Sequence, residues 1–135
     1  GGEAFTKTVV ITDEVKAKVK ELFPLAPLHN PANLIGVEVA EAVFPNATQV
    51  GVFDTAFHQT MPEVAFRYAL PKKMYNEMGI RKYGFHGTSH KYVSEKAIRY
   101  LKNPNAKIVT IHLGNGASMA AVDVPNSDFP ASPNK

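Results

Sequence analysis

The chain has 135 residues, 44% of them hydrophobic, a net charge of +3 and no cysteine. That length suits one ordinary domain with a buried core and is short for two, and lysines and arginines interspersed with acids attract small anions without forming a nucleic-acid stripe. No apolar run is long enough to cross a bilayer, the first residues Gly1-Gly2-Glu3-Ala4-Phe5 carry no basic and apolar leader, and the lack of cysteine excludes disulfides and thiolate metal sites, which is compatible with the cytosol.

In chain order, Val9-Val10-Ile11 precedes Thr12, which can cap a partly exposed helix over 13–22 with acids in its first turn and lysines later. Three prolines between Phe23 and Pro31 predict an ordered loop, with Asn30 as the cap and Pro31 at the first position of a second helix reaching about Phe44. The apolar residues Leu34, Ile35, Val37, Val39, Ala40 and Val43 nearly surround that helix, so burial on more than one side is expected. Val50 to Phe53 reads as a strand delivering Asp54 at its end, followed by a polar loop to Glu63 and a short extended segment over 66–70. Pro71 to Met78 gives one or two helical turns stopped by Gly79. Thr88 or Ser89 opens a helix to about Leu101, with Tyr92, Val93, Ala97, Tyr100 and Leu101 as its apolar stripe. Lys107 to Leu113 is the clearest strand; after Gly114-Asn115-Gly116 an extended Ala117 to Val122 forms a hairpin or a return strand. Residues 123–135 read as loop or disorder. The alternation of helices and strands is that of an α/β fold.

Several groups carry chemistry. Tyr83-Gly84-Phe85-His86-Gly87-Thr88-Ser89-His90 places two glycines, two histidines and two hydroxyls where a helix begins, a grouping suited to holding an anion. His86 can donate to a transferring phosphoryl oxygen or, alternatively, bind a turn carbonyl. Asp54 can position an attacking oxygen or cap the following turn through the amides of Ala56 and Phe57. In Gly114-Asn115-Gly116, glycines permit positive φ and expose amides to phosphate, although Asn-Gly is equally a hairpin turn, and neither the P-loop nor the dinucleotide pattern is matched. His29, in its proline-rich loop, can border a pocket for a small acid or help cap the next helix. His86 and His90 have zinc spacing, but Gly87 would fall inside the helix and no third ligand has a recognisable spacing, so no metal site is read here.

Leu25-Ala-Pro-Leu-His-Asn-Pro31, Val52-Phe-Asp-Thr-Ala-Phe-His-Gln-Thr-Met-Pro62, Arg81-Lys-Tyr-Gly-Phe-His-Gly-Thr-Ser-His90 and His112-Leu-Gly-Asn-Gly-Ala-Ser118 closely resemble the acetate kinase family in order and spacing. The resemblance covers residues 1–122, as part of the family's N-terminal region reaching into the nucleotide-phosphate loop, and leaves 123–135 unmatched. It implies an incomplete piece of the α/β fold shared by acetate and sugar kinases, actin and heat-shock ATPases.

The resemblance further implies a phosphotransferase moving phosphate reversibly between ATP and acetate, giving acetyl phosphate and ADP. Asp54 resembles the catalytic acid and His86 the residue stabilising the transition state. His29, Leu28 and Phe85 resemble the acetate pocket, and His112, Leu113, Gly114, Asn115 and Gly116 the nucleotide-phosphate loop. Magnesium ligands, the adenosine site and two arginines of the family have no counterpart in this sequence, so little or no turnover is expected of this chain alone. A cytoplasmic homodimer is implied for the full-length enzyme, without nucleic-acid or membrane partners. The alternatives are a propionate or butyrate kinase of the same family and a non-catalytic phosphate-binding or dimerisation module. An aspartyl phosphatase with Asp54 as nucleophile is disfavoured because Ala56 stands where such enzymes place a second acid.

Overall fold

The computed structural model describes residues 1–123, so the expected loop over 123–135 lies outside the described residues from residue 124 onward, and Asp123 itself closes a strand. Where one domain was expected, the chain divides into two compact units, Gly1–Ala56 and Phe57–Lys135.

In the first unit, β1 (Val9–Val10) pairs antiparallel with β2 (Val50–Gly51), Val9 opposite Gly51 and Val10 opposite Val50. The second strand is shorter than its apolar run predicts. Phe53 leaves the ladder to stack on the buried Phe5, ring centroids 4.1 Å apart, and its carbonyl accepts from the Ala56 amide at 3.0 Å to turn the chain at Asp54. Helix α1 (Asp13–Glu21) begins as expected, with Thr12 extended and its Oγ1 accepting from the Val15 amide at 3.3 Å. Lys16 Nζ joins Asp13 and, on the next helix, Glu41, each at 2.9 Å, and these carboxylates hold its amine above the usual lysine range.

Helix α2 (Asn30–Val43) starts one residue early: His29 takes the cap position and Asn30, already helical, turns its Nδ2 to the Leu22 carbonyl at 2.8 Å. Pro31 sits in the first turn, where its missing amide has no helical partner to lose. Only Leu34 of this helix is buried, while Ile35, Val39 and Val43 are exposed among the described residues, so the expected burial on several sides is not found.

The second unit opens with a 3-10 turn that begins at the boundary, Ala56–Thr60, and a single helical turn, α3 (Glu63–Phe66). Of the extended segment expected at 66–70, Phe66 belongs instead to that helical turn, which the Arg67 amide closes on the Glu63 carbonyl at 3.0 Å; Arg67 itself is extended, with φ −74° and ψ 141°, but no strand forms over these residues. Helix α4 (Lys72–Met78) stops at Gly79, whose φ of +64° lets its amide and that of Ile80 reach back to Tyr75 and Met74.

Helix α5 (Gly87–Leu101) packs on a hairpin of β3 (Lys107–Leu113) and β4 (Ala117–Asp123), paired from Leu113–Ala117 at the turn to Lys107–Asp123. Alternation puts Thr110, His112, Ser118, Ala120 and Val122 on the covered face and Val109, Ile111, Leu113 and Met119 on the exposed one. The helix meets the hairpin with Gly87, His90 and Ser94, all buried, rather than with its apolar stripe; Tyr92, Tyr100 and Leu101 stay exposed. Small and polar residues win this face because their polar atoms are satisfied inside it, Ser94 Oγ donating to the His90 carbonyl at 2.7 Å.

Candidate active site

His86 holds the N-cap position of α5 with φ 55° and ψ 30°, a left-handed conformation that costs a non-glycine residue about 1–2 kcal/mol. Such strain persists only where surrounding contacts fix it. They do so from both sides. Upstream, the buried His58 donates from Nε2 to the Phe85 carbonyl at 2.8 Å, and Gly84 (φ +78°) lies so close that a Cβ there would sit 2.5 Å from the His58 ring. Downstream, the His86 ring stacks on His112, centroids 4.1 Å apart and planes within 18°.

Hydroxyls lock the rings. Nδ1 of His86 lies 2.8 Å from Ser118 Oγ, and the same oxygen lies 2.8 Å from Nε2 of His90. Nδ1 of His90 lies 2.7 Å from Thr110 Oγ1, and Nδ1 of His112 lies 2.9 Å from Ser89 Oγ. The register explains the grouping, since His112 pairs directly with Ser118 and Thr110 with Ala120. His90 is 1% exposed and both its nitrogens face hydroxyls, which leaves no lone pair for zinc. Among the described residues no three histidines or carboxylates are arranged to hold a metal.

The hairpin turn approaches from the other edge of His86. A Cβ on Gly116 would lie 3.2 Å from both Cε1 and Nε2 of the ring. Gly116 is therefore needed for a different reason than expected. Among the described glycines, positive φ occurs at Gly2, Gly79 and Gly84, not at Gly114 or Gly116, and the Gly114 amide closes the turn on the Gly116 carbonyl at 2.9 Å. Gly116 serves close approach to the imidazole. A cavity of about 680 Å³ opens beside the cluster, with His58, Arg81, Tyr83, Phe85 and Ser118 in its wall.

The structure thus brings His86, His112, Gly116 and their hydroxyl partners together, with Phe85 adjoining at 58% exposure. Leu113 belongs to the same turn, but its side chain is on the exposed face of the hairpin, 79% accessible, and Asn115 is exposed at the tip. Asp54, His29 and Leu28 belong to the first unit: Asp54 is exposed in the turn after β2, His29 is exposed at the start of α2, and Leu28 is 85% exposed. His58, Thr110 and Ser118 are site residues that the sequence reading passed over. Ser118 carries a usable signal, because pairing outward from Asn115 sets it opposite His112; His58 carries none, its contact with Gly84 spanning 26 residues of chain.

A family model for the acetokinase family matches residues 1–127. The chain belongs to the acetokinase family. Its sequence is 64% identical over 122 residues to acetate kinase of Flavobacterium johnsoniae, covering 90% of this chain and 31% of that acetokinase. Among solved structures, Porphyromonas gingivalis acetate kinase superposes with a TM-score of 0.87 at 57% identity, covering 94% of this chain and 32% of that one. A propionate kinase from Francisella tularensis superposes with a TM-score of 0.88 at 49% identity, over 94% and 33%. The chain thus spans about a third of the length of the acetokinases it matches, and its fold is the corresponding part of the acetate and propionate kinase architecture, of the sugar kinase, actin and heat-shock ATPase type.

Proposed function

We propose that this chain contributes the acid, the transition-state imidazole and a nucleotide-phosphate turn to an enzyme that moves phosphate reversibly between ATP and acetate, giving acetyl phosphate and ADP. The observation that carries the reading is the strained His86 at the N-terminus of α5, stacked on His112 and edged by Gly116. Phosphoryl transfer asks for placement and charge stabilisation more than for covalent help. A ring held by Ser118 at Nδ1 offers its Nε2 edge to an equatorial oxygen of the moving phosphoryl group. His112 and the 113–116 turn would seat the donor nucleotide's phosphates. In the first unit Asp54 would orient the attacking carboxylate and His29 and Leu28 would contact the acetate; in the second, Phe85 would contact the acetate.

Magnesium accompanies such nucleotides, keeping water and phosphate oxygens as most of its ligands. Among the described residues no three histidines or carboxylates are grouped to hold it, and no step is assigned to it here. The reading includes a homodimer working in the cytoplasm, to be checked by sizing and by cell fractionation; no described helix is long and apolar enough to cross a membrane.

Acyl phosphate formation from acetate, propionate and butyrate, measured on a complete acetokinase polypeptide carrying this sequence, tests the proposal. Acetate is expected to give the highest kcat/KM, and the 135-residue chain alone little or no turnover. Because the Francisella tularensis propionate kinase superposes as well as the acetate kinase does, preference for propionate is the second reading, and one methylene is worth about 10–200-fold between them. Absence of acyl phosphate with all three acids would leave a non-catalytic phosphate-binding or dimerisation module.

Gly116→Ala offers a finer test. Its methyl, 3.2 Å from the His86 ring atoms, must displace the ring by a few tenths of an ångström, so kcat should fall about tenfold while the protein stays folded. An unchanged kcat would show that the turn does not bear on the reacting imidazole.

A further inference from the structure

We infer that Ser89 is a positioning residue of this site, its hydroxyl holding Nδ1 of His112 so that the ring turns its remaining nitrogen, Nε2, toward the hairpin turn. This role rests on the proposed seating of the nucleotide's phosphates at His112 and the 113–116 turn, a reading that assigned nothing to Ser89.

A serine where a helix opens commonly caps it, but Ser89 does not. His86 holds the N-cap position of α5 and no side chain caps the helix, while Ser89, in its first turn, directs Oγ across to β3, 2.9 Å from Nδ1 of His112. With Nδ1 occupied, Nε2 is the nitrogen left to meet a ligand, and it makes no hydrogen bond among the described residues. It faces the turn, since a Cβ on Gly114 would lie 3.6 Å from it. His86 repeats the layout, with Nδ1 2.8 Å from Ser118 Oγ and Nε2 3.2 Å from the Cβ position of Gly116. The two rings, with centroids 4.1 Å apart and planes within 18° of parallel, thus present the same edge to the two glycines of one turn.

Stacking by itself does not choose that edge. A half-turn of the His112 ring about its Cβ–Cγ bond keeps the plane, and with it the stack on His86, but carries a carbon to the place of Nδ1 and moves Nε2 off its position. Only the hydrogen bond to Ser89 tells the two orientations apart. A hydroxyl suits the task because it can give or take a proton. It donates to Nδ1 of a neutral ring protonated at Nε2, and it accepts from Nδ1 of an imidazolium; in both cases Nε2–H is turned to the phosphates. The remaining form, neutral with its proton on Nδ1, sets a lone pair against phosphate oxygens and is disfavoured by the ligand. The role of Ser89 therefore does not depend on which of the two groups donates. Ser89 touches no phosphate in this scheme; it fixes what His112 presents.

Calorimetry of magnesium-ATP binding to the complete acetokinase polypeptide, without acetate, reads the phosphate site, and proton–nitrogen spectra of histidine-labelled protein read the ring. Ser89→Ala is expected to weaken ATP binding about fivefold, the usual worth of one hydrogen bond, and to shift the Nδ1 signal of His112, while KM for acetate holds within about twofold. Ser89→Thr, which keeps the hydroxyl, should restore both readings. In a His112→Ala background, Ser89→Ala should change ATP affinity by less than about twofold, because its effect runs through that ring. The full loss persisting in that background would overturn the inference, as would unchanged ATP affinity in Ser89→Ala or equal losses in the alanine and threonine variants. Unaltered ATP affinity in His112→Ala, with the Nδ1 signal still shifting in Ser89→Ala, would instead defeat the proposed phosphate seat and leave the tie between Ser89 and His112 standing.

Discussion

Replacing His86 with alanine in the complete acetokinase polypeptide is expected to lower kcat by about 10²–10³-fold, the usual loss on removing one preorganised donor from a developing oxyanion, with little change in KM for either substrate. The ring is fixed at Nδ1 by Ser118 and across its face by His112, so its contribution is made with no reorganisation at the moment of transfer. A companion variant separates chemistry from conformation. His86 is left-handed at φ 55°, so alanine keeps the backbone strain and His86→Gly releases it. The glycine variant should be the more stable of the two by about 1 kcal/mol and equally slow. Steady-state kinetics beside denaturant unfolding would check both statements, and a rate within threefold of the unaltered enzyme would remove His86 from the mechanism.

Gly84→Ala should be the most damaging single-methyl change in the second unit. The position has φ +78°, and its new Cβ would stand 2.5 Å from the Cγ and Cδ2 atoms of His58, closer than any real contact. Left-handed strain and overpacking each cost about 1–3 kcal/mol, so a loss of about 2–4 kcal/mol in unfolding free energy is expected. Because the ring of His58 holds the Phe85 carbonyl at 2.8 Å, its displacement should also release the backbone at His86 and slow the reaction. Truncating His58 in the same protein should recover part of the loss, since the overlap is with that ring; additive effects of the two changes in a double-mutant cycle would show that the overlap is not the cause.

Local signals and their outcomes divide cleanly in this chain. The Thr12 cap, the Gly79 stop and the β3 to β4 hairpin follow from residues within a few positions of one another, and each is found where such signals set it. The apolar run from Val50 to Phe53 predicts a longer strand than the two residues found, because it says nothing of Phe5, on whose ring Phe53 stacks from nearly fifty residues away. Periodicity singles out an apolar stripe on α5 because it ranks side chains by hydropathy. The face that packs is chosen instead by fit, with Gly87, His90 and Ser94 allowing the hairpin close and satisfying their own polar atoms.

The candidate site divides in the same way. The four motifs by themselves sufficed to name the family and to single out His86, His112 and the 114–116 turn, because chemistry-bearing residue types at fixed spacing survive as letters. Only the tertiary structure decided that Gly116 is there for proximity and not for a positive φ, that His58 lies beneath the turn, and that one serine hydroxyl serves two histidines. A hydrogen bond depends on where two groups meet in space, and pairings such as His58 with Phe85 or His90 with Ser118 join residues 27 and 28 positions apart, a separation over which the order of amino acids carries no local periodic signal.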